Sequence, residues 1–551
     1  MSLPVALRHS ALRWIAEDVD EQDRAGLRAV LAAAIRGDPT AVDELADRMA
    51  GPLAFGTAGL RGPIRAGPNG MNRAVVVRTT AGVARWLTEH GHAGGIVVVG
   101  RDARHGSEPF ARDAVAVLAA AGFDARLLPR PLPTPVLARA VRSLGAVAGV
   151  QVTASHNPPR DNGYKLYDDT GAQIAPPVDT EVEAAISAAP GAFSVPRKDS
   201  WTLLGEEQLS GYLSTVTRLP FGSARELRVV ATALHGVGAE PLRAALDGFR
   251  DASGAGVYLV AEQSEPDPDF PTVRFPNPEE PGAADLLLAL ASEVDADVAV
   301  ALDPDADRCA LGVRERDGSW RMLRGDETGA LLGAHLLSHL DRQAHPDPLV
   351  ATTIVSSEML ARIAAKYGVR YAETLTGFKW LVRAGEGLVY AYEEALGLCV
   401  DPESVRDKDG ISAAVLACDL AATVKASGRS LLDALDDLQI AHGVHLTGQV
   451  SVRVDKLSRI DEVMTALRAG PPGTLAGTPV VAEDLLPDAD VLRLRGDGTR
   501  VVVRPSGTEP KLKTYLEVVA QVGEEGLGAA RARATRRLFE LRTEVTTLLD
   551  G

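Results

Sequence analysis

Short apolar segments alternate with helical segments along most of the chain, and this alternation constrains the fold more than any other feature. The strand-like segments include GIVVVG at 95–100, GAVAGVQVTAS at 145–155, LRVVATAL at 227–234, DADVAVALD at 295–303 and PLVATTIV at 348–355. Helical segments such as EPFARDAVAVLAAAG at 108–122 separate them. This alternation predicts βαβ units with largely parallel sheets, whose ligands bind at the carboxyl ends of the strands.

The two ends of the chain have other patterns. Residues 8–50 predict two helices with charged faces that form a packing arm. The segments at 445–454 and 490–507 are typical of antiparallel strands, with Asp497-Gly498 as a hairpin signal, and a final helix follows at 528–549. We therefore predict three mixed-sheet α/β domains of similar topology plus a C-terminal α+β domain, around a central cleft. The predicted domains are 1–215, 216–325, 326–443 and 444–551.

The composition excludes several classes of protein. A formal net charge of −16, without a run of Lys or Arg, argues against a nucleic-acid partner. The apolar segments are only strand-sized, and the first 22 residues lack a signal-peptide core, so we expect no membrane association and a cytoplasmic protein. The three cysteines form no metal-spaced pair, which fits a reducing compartment. A small anionic substrate is still compatible, because a local group of cations can bind a phosphate.

A serine ends the strand at 145–155, within TASHNPPRDNGYKLY at 153–167. The prolines after Asn157 force a turn, so the Ser155 hydroxyl is predicted at the carboxyl end of a strand. His156 is adjacent and Lys165 is ten residues further on, and either side chain can carry protons for a nearby nucleophile. A loop serine that only satisfies the backbone is the alternative, and the segment alone leaves both interpretations open.

Three aspartates alternate in ALDPDADRCALG at 301–312, directly after an apolar strand. Asp303, Asp305 and Asp307 would repel one another unless a cation lay among them, and their oxygens suit Mg²⁺. A solvated acidic turn is one alternative. A phosphatase of the haloacid-dehalogenase type, with Asp303 as nucleophile, is another, although the threonine usual after that motif is absent.

Two later loops carry groups that suit a sugar phosphate. In YEEALG at 392–397, Glu393 and Glu394 can accept hydrogen bonds from vicinal hydroxyls, or they can simply favour a helix N-terminus. In RPSGTEPKLK at 504–513, a glycine lets the chain curve around an anion that an arginine can bind with two donors, although S-G-T is also a common turn. The candidate donors of this loop are Arg504, Ser506, Gly507, Thr508 and either Lys511 or Lys513.

Taken in order, these segments resemble the α-D-phosphohexomutase superfamily, which includes phosphoglucomutases and phosphomannomutases. The resemblance extends from FGTAGLRGP at 55–63 to the loop at 504–513 and depends on T-A-S-H-N-P, D-P-D-A-D-R and R-P-S-G-T together. It implies a phosphosugar mutase, an isomerase that moves a phosphoryl group between the 1-position and the terminal hydroxyl of a sugar. The terminal hydroxyl is at position 6 of a hexose or position 5 of a pentose. The transfer would pass through a phosphoserine and a sugar bisphosphate.

The resemblance also implies roles for particular residues. Ser155 would be phosphorylated, and one Mg²⁺ per chain would bind a phosphoserine oxygen and the three aspartates Asp303, Asp305 and Asp307. Arg61 would lie near the serine, Lys165 is the preferred proton acceptor, and His156 is the second choice. The residues expected to bind substrate are Arg308, Lys379 in TLTGFKWL at 374–381, Glu393, Glu394, Arg504, Ser506, Gly507, Thr508 and Lys511. A sugar bisphosphate is expected as activator.

One position departs from the family pattern. The sugar loop commonly reads G-E-E-S-G there, and Ala395 replaces the serine, which removes a hydrogen bond of about 1 kcal/mol. The loop and its continuation at 393–415 resemble the branch that contains phosphopentomutases. The preferred sugar is therefore left open among glucose, mannose, ribose, deoxyribose and glucosamine phosphates, as is the oligomeric state. The competing functions are a Mg²⁺-dependent sugar-phosphate phosphatase and a non-catalytic sugar-phosphate sensor.

Overall fold

The computed structural model describes residues 3–55, 59–454, 458–506 and 511–550. The chain forms two compact units. The first unit contains Met1–Met322 and Gly397–Asp419, and the second contains Leu323–Leu396 and Leu420–Gly551. The predicted boundaries of four domains stay a prediction.

Three helices precede the first sheet, one more than the sequence pattern predicted. They are α1 (Val5–Glu17), α2 (Glu21–Ile35) and α3 (Pro39–Arg48). The Asp20 side chain begins α2 because it accepts hydrogen bonds from the N–H groups of Gln22 and Asp23. Asp38 begins α3 in the same way, with Pro39 in its first turn. The prediction of two helices was therefore wrong, because these caps start a separate helix after each short break.

The first unit then contains a six-stranded sheet in the order β1-β5-β4-β2-β3-β6. Its elements are β1 (Leu60–Pro63), α4 (Arg73–Glu89), β2 (Ile96–Arg101), α5 (Ser107–Ala120), β3 (Asp124–Leu127), α6 (Thr134–Ser143), β4 (Ala148–Val152), β5 (Asp161–Asp168), α7 (Val178–Ser187), a 3₁₀ turn (Ala192–Ser194), β6 (Thr202–Leu203) and α8 (Glu207–Val216). Strand β2 is parallel to β3 and β4, whereas β5 is antiparallel to both β4 and β1. The strands β2 and β4 are the ones that the sequence predicted here.

A second sheet of the first unit has the order β11-β10-β9-β7-β8. Its elements are β7 (Val229–Thr232), α9 (Ala239–Ala245), β8 (Tyr258–Leu259), a 3₁₀ turn (Ala261–Gln263), α10 (Asp285–Glu293), β9 (Val298–Leu302), β10 (Cys309–Arg314) and β11 (Trp320–Met322). Every residue of β4 and of β9 is buried. The loops that leave these two strands are therefore held by the core of the unit.

The chain continues with α11 (Gly325–His339), β12 (Leu349–Thr353), α12 (Met359–Tyr367), β13 (Arg370–Thr374), α13 (Phe378–Leu381), β14 (Leu388–Glu393), β15 (Gly397–Cys399), α14 (Gly410–Ala426) and α15 (Leu431–His442). In the second unit, β12 lies between β13 and β14 and is parallel to both. No single described helix is long and apolar enough to cross a membrane. By length and composition alone, α14 and α15 pass that test only as a pair bent by 91°.

The second unit ends in an antiparallel sheet of order β16-β21-β20-β19-β18-β17, covered by a long helix. The elements are β16 (Val444–Arg453), α16 (Ser458–Ala469), β17 (Thr474–Leu475), β18 (Thr478–Asp484), β19 (Leu492–Gly496), β20 (Thr499–Pro505), β21 (Lys511–Ala520) and α17 (Gly526–Asp550). The register pairs Gly496 with Thr499, so Asp497-Gly498 is the predicted two-residue hairpin turn. Gly498 has a φ of +57°, which such a turn requires.

Candidate active site

Ser155 lies in the loop that leaves β4, as the sequence predicted. Its backbone has a φ of +54°, in the left-handed region that is uncommon for a serine. Its N–H donates to Thr153 Oγ1 at 2.9 Å, and its hydroxyl donates to Asp303 Oδ2 at 2.8 Å. The side chain is 1% exposed. The loop therefore presents this hydroxyl to the aspartate loop rather than to its own backbone.

Arg104, which is not among the site residues predicted from the sequence, holds the serine loop. This buried arginine follows β2, the neighbour of β4 in the sheet. Its guanidinium donates to the carbonyl oxygens of Ser155 at 2.5 Å, Asn157 at 2.7 Å and Pro158 at 2.8 Å. In the sequence, the position of GRDARHG directly after a predicted strand is the one feature that could have indicated a role for Arg104. The strained turn at Ser155 is thus fixed from outside by a charged donor.

The three aspartates of the loop after β9 come together, as predicted. Asp303, Asp305 and Asp307 are fully buried, and one oxygen from each lies within 4.8 Å of the others. Among the described residues, Asp305 Oδ1 and Asp307 Oδ1 have no hydrogen-bond partner. Orphaned buried oxygens are costly, and Mg²⁺ takes oxygen ligands of this kind. The residues present therefore fit a divalent cation.

Two lysines offset the charge of the aspartates. Lys165 Nζ donates to Asp305 Oδ2 and Asp307 Oδ2, each at 2.7 Å, and Lys408 Nζ lies 3.3 Å from the same oxygen of Asp307. Burial disfavours a charge on Lys165, but the two carboxylates outweigh it and raise the pKa of that lysine. Burial, together with the neighbouring carboxylates, raises the pKa of Asp303 well above its usual value. Lys408 is not among the site residues predicted from the sequence.

His156 and Arg61 lie beside Ser155. His156 Nδ1 is 3.3 Å from Ser155 Oγ, and Arg61 donates to the side-chain oxygen of Asn157 at 3.4 Å. Burial, and next the charge of Arg308, lowers the pKa of His156 well below its usual value. Burial therefore favours the neutral form of this imidazole.

The aspartate loop is held by close backbone contacts. A Cβ on Gly236 would lie 2.3 Å from Pro304, and a Cβ on Gly410 would lie 2.3 Å from the carbonyl oxygen of Arg308. Within the loop, the N–H of Arg308 donates to Asp303 Oδ1 at 3.1 Å, and the Arg308 Nε is 3.9 Å from Asp307 Oδ1. Glycine at 236 and 410 therefore permits the packing that places the carboxylates.

In the second unit, the predicted sugar loop leaves β14. Glu394 Oε2 accepts hydrogen bonds from Ser356 Oγ at 2.9 Å and from Thr353 Oγ1 at 3.2 Å. Burial, with a smaller contribution from Glu393, raises the pKa of Glu394 to about 7. Neither hydroxyl residue was identified from the sequence, although TTIVSS at 352–357 contains both and includes the end of the predicted strand at 348–355.

The predicted phosphate loop joins β20 to β21. Gly507 and Thr508 lie outside the described residues. The flanks are described: the N–H of Ser506 donates to the carbonyl oxygen of Lys511 at 2.8 Å, and Arg504 Nη1 donates to Thr376 Oγ1. Thr376 belongs to the same segment as the buried Lys379, so Arg504 is joined to the loop of that lysine.

The candidate residues thus form two groups. The first unit contains Ser155, His156, Arg61, Lys165, Arg308 and the three aspartates. The second contains Lys379, Glu393, Glu394, Arg504, Ser506 and Lys511. Groups suited to phosphoryl transfer are concentrated in the first, and groups suited to binding a sugar phosphate in the second.

Four family models match the chain in order. They are the phosphoglucomutase/phosphomannomutase alpha/beta/alpha domain I at 52–191, domain II at 210–318, domain III at 324–439 and the C-terminal domain at 450–533. The chain therefore belongs to the phosphoglucomutase/phosphomannomutase family, within the α-D-phosphohexomutase superfamily, as its motifs predicted.

Relatives that match most of the chain also carry the names of phosphosugar mutases. A Haemophilus influenzae protein named "Probable phosphomannomutase" is 43% identical over 462 residues, which cover 81% of this chain and 93% of that protein. A Mus musculus protein named phosphopentomutase is 32% identical over 95% of this chain and 92% of its own. The structure of a family protein from Burkholderia thailandensis shares the fold, with a TM-score of 0.69 at 20% identity over 91% and 97% of the two chains. The enzyme is a phosphosugar mutase, and the predicted fold class and reaction class are confirmed.

Proposed function

We propose that this mutase transfers a phosphoryl group between the 1-position and the terminal hydroxyl of a sugar monophosphate, through phospho-Ser155 and a sugar bisphosphate. The observation that carries the proposal is the contact of the Ser155 hydroxyl with Asp303, 148 residues away. It brings a nucleophile to a buried group of three carboxylates. A serine that served only its own loop would not need this carboxylate.

In the proposed cycle, the P–O bond at phospho-Ser155 breaks while a sugar hydroxyl forms a new P–O bond with the same phosphorus. The sugar hydroxyl loses its proton to a base, and the serine oxygen recovers one. The bisphosphate then presents its other phosphate, and the reverse transfer restores phospho-Ser155. The phosphate changes position, and no cosubstrate is consumed.

Asp303, Asp305 and Asp307, with a phosphoserine oxygen, would hold Mg²⁺. Bound there, the ion would withdraw charge from the transferring phosphoryl group. The chain's own contribution is to keep three carboxylates together, and Lys165 and Lys408 do so by offsetting their charge.

We assign the proton acceptor to His156. Sequence spacing favours Lys165, but its Nζ is engaged in hydrogen bonds to two aspartates, Asp305 and Asp307. His156 Nδ1 lies 3.3 Å from the Ser155 hydroxyl, within reach of the oxygen at which the phosphoryl group and the proton are exchanged. Arg61 and Arg308 would balance the charge of the serine phosphate.

Recognition is assigned to the second unit. Glu393 and Glu394 would accept hydrogen bonds from ring hydroxyls. The phosphate that is not reacting would bind the donors of the loop at 504–511 and Lys379. We propose glucose and mannose phosphates as substrates, supported by the higher identity to the relative named for mannose. Pentose phosphates are the alternative within the family. A sugar bisphosphate would prime Ser155, and three buried free cysteines fit the expected cytoplasmic location.

A turnover panel tests the proposal. Glucose, mannose, ribose, deoxyribose and glucosamine 1-phosphates are each supplied with Mg²⁺ and the matching bisphosphate, and both isomer formation and free phosphate are measured. Isomer formation that is lost in Ser155→Ala, and kept in the control Ser412→Ala, is the expected result. Ser412 is also a buried serine of the first unit, and its hydroxyl donates to the Asp409 carbonyl. Free phosphate without isomer would instead indicate the phosphatase.

Asp305→Asn tests the metal loop in the same assay. Loss of one ligand oxygen should abolish Mg²⁺-dependent turnover. An Asp305→Asn enzyme with the same Mg²⁺ requirement as the natural protein would contradict the assignment.

A further inference from the structure

The carboxylate and the backbone of Glu394 are held by other parts of the second unit. Two hydroxyls donate to its Oε2, its N–H donates to Ser356 Oγ at 3.2 Å, and its carbonyl oxygen lies against Gly325. Ala395, the next residue, offers no hydroxyl of its own. Support for the sugar loop therefore comes from the end of β12 and the segment that follows it.

Ser356 is the centre of this support. Its hydroxyl donates to Glu394 Oε2, accepts from the Glu394 N–H, and lies 2.8 Å from Thr353 Oγ1. The carbonyl oxygen of Ser356 accepts a hydrogen bond from the buried Arg500, which also pairs with Glu517. One small side chain thus contacts both the backbone and the carboxylate of Glu394, while its own backbone is fixed by a charged donor.

We propose that Ser356 is a positioning residue that orients the Glu394 carboxylate for the hydroxyls of the sugar. The inference rests on the proposed function, because it takes Glu394 as a sugar ligand. A buried carboxylate without donors can rotate or lose its charge, whereas a hydroxyl hydrogen bond fixes one oxygen and leaves the other for a ligand. Ser356 itself is 1% exposed and acts through Glu394.

The neighbouring residue provides a matched control. Ser357 is 2% exposed, and its hydroxyl donates at 2.6 Å to a different carboxylate, that of the buried Glu517. Both serines therefore give one hydroxyl to a glutamate carboxylate, but only Glu394 belongs to the sugar loop. A general effect of losing a buried hydroxyl should appear in both variants, whereas an effect on sugar binding should appear in one.

The experiment compares Ser356→Ala, Ser357→Ala and the natural enzyme with the sugar 1-phosphate that it turns over fastest. Ser356→Ala should raise KM about tenfold, the size of a lost hydrogen bond to a charged group, with kcat changed less than threefold. Ser357→Ala should lower Tm by about as much as Ser356→Ala does, and its KM should stay within about twofold of the natural value. A second pair of variants separates the effect of the hydroxyl from that of volume. Ser356→Thr and Ser356→Val add similar volume, but only threonine keeps the hydroxyl. The KM of the Val variant should be about tenfold above that of the Thr variant.

A double-mutant cycle tests whether Ser356 acts through Glu394. In a Glu394→Gln background, Ser356→Ala should change KM by less than about twofold, because the charged acceptor of the serine hydroxyl is already neutralised. Equal KM values for Ser356→Thr and Ser356→Val, or additive effects in the cycle, would overturn the inference. Absence of isomer formation by the natural enzyme would instead count against the proposed function, so the two failures are distinguishable.

Discussion

Replacing Gly325 with alanine should displace the sugar loop. Gly325 is the first residue of α11, and its φ is outside the left-handed region, so alanine suits its backbone. A Cβ at this position, however, would lie 1.9 Å from the carbonyl oxygen of Glu394. Because real Cβ contacts essentially never fall below 3.0 Å, the two must separate by at least 1.1 Å.

This displacement sets the expected loss of activity. Moving a substrate-positioning group by about 1 Å can cost about 10²-fold in rate. We therefore expect kcat/KM of Gly325→Ala to fall about 100-fold, which corresponds to about 2.7 kcal/mol of transition-state stabilisation. The overpacking should also lower the free energy of unfolding by about 1–3 kcal/mol.

The assay measures kcat/KM for isomer formation, and thermal unfolding of the same variant gives its Tm. Gly528→Ala is the control, because it is also near the start of a helix and a Cβ there meets nothing within 4 Å. That control should keep its activity, with a Tm equal to or slightly above that of the natural protein. A Gly325→Ala enzyme with kcat/KM within twofold of the natural value would refute the view that the position of this loop determines turnover.

Three further outcomes are expected. The pKa of Glu394 is about 7, and its charged form accepts the sugar hydroxyls. We therefore expect kcat/KM to rise about tenfold per pH unit below pH 7 and to level off above it. Glu394→Gln should remove this rise of kcat/KM with pH. Burial opposes ionisation of Glu517, but Arg500 and His445 lower its pKa to about 2. The contribution of this carboxylate to stability should therefore be present above about pH 4.5 and lost as the pH falls towards 2. Glu517→Gln should flatten this pH dependence and lower the free energy of unfolding, measured by denaturant titration, by about 3 kcal/mol. Arg504→Lys should raise KM for sugar phosphates about tenfold with little change in Tm, and an unchanged KM would mean that the phosphate binds elsewhere.

The positions of the site loops could be predicted because they follow from strand periodicity. The apolar segments at 145–155 and 295–303 became the fully buried strands β4 and β9, and the loops after them carry Ser155 and the aspartates. Ligands of open α/β sheets bind at the loops that follow the carboxyl ends of strands, so the strand endings alone indicated which loops would carry the chemistry.

The partners of the site residues could not be predicted, because they depend on how distant loops pack. Lys165 is 140 residues from Asp305, and spacing along the chain placed it beside Ser155 rather than between two aspartates. Arg104 binds carbonyl oxygens, which leave no trace in the residue types of the serine loop. Ser356 likewise became visible only when β12 and β14 were paired side by side.

The central claim is that Ser155 carries the phosphoryl group. The most direct test is to incubate the enzyme with Mg²⁺ and a sugar bisphosphate labelled with ³²P, isolate the protein and map the label. We predict one acid-stable phosphate per chain on Ser155, which is released as labelled sugar bisphosphate when unlabelled sugar monophosphate is added. Label on Asp303 as an acid-labile acyl phosphate, or a phosphoserine that is not discharged by sugar phosphate, would contradict the account.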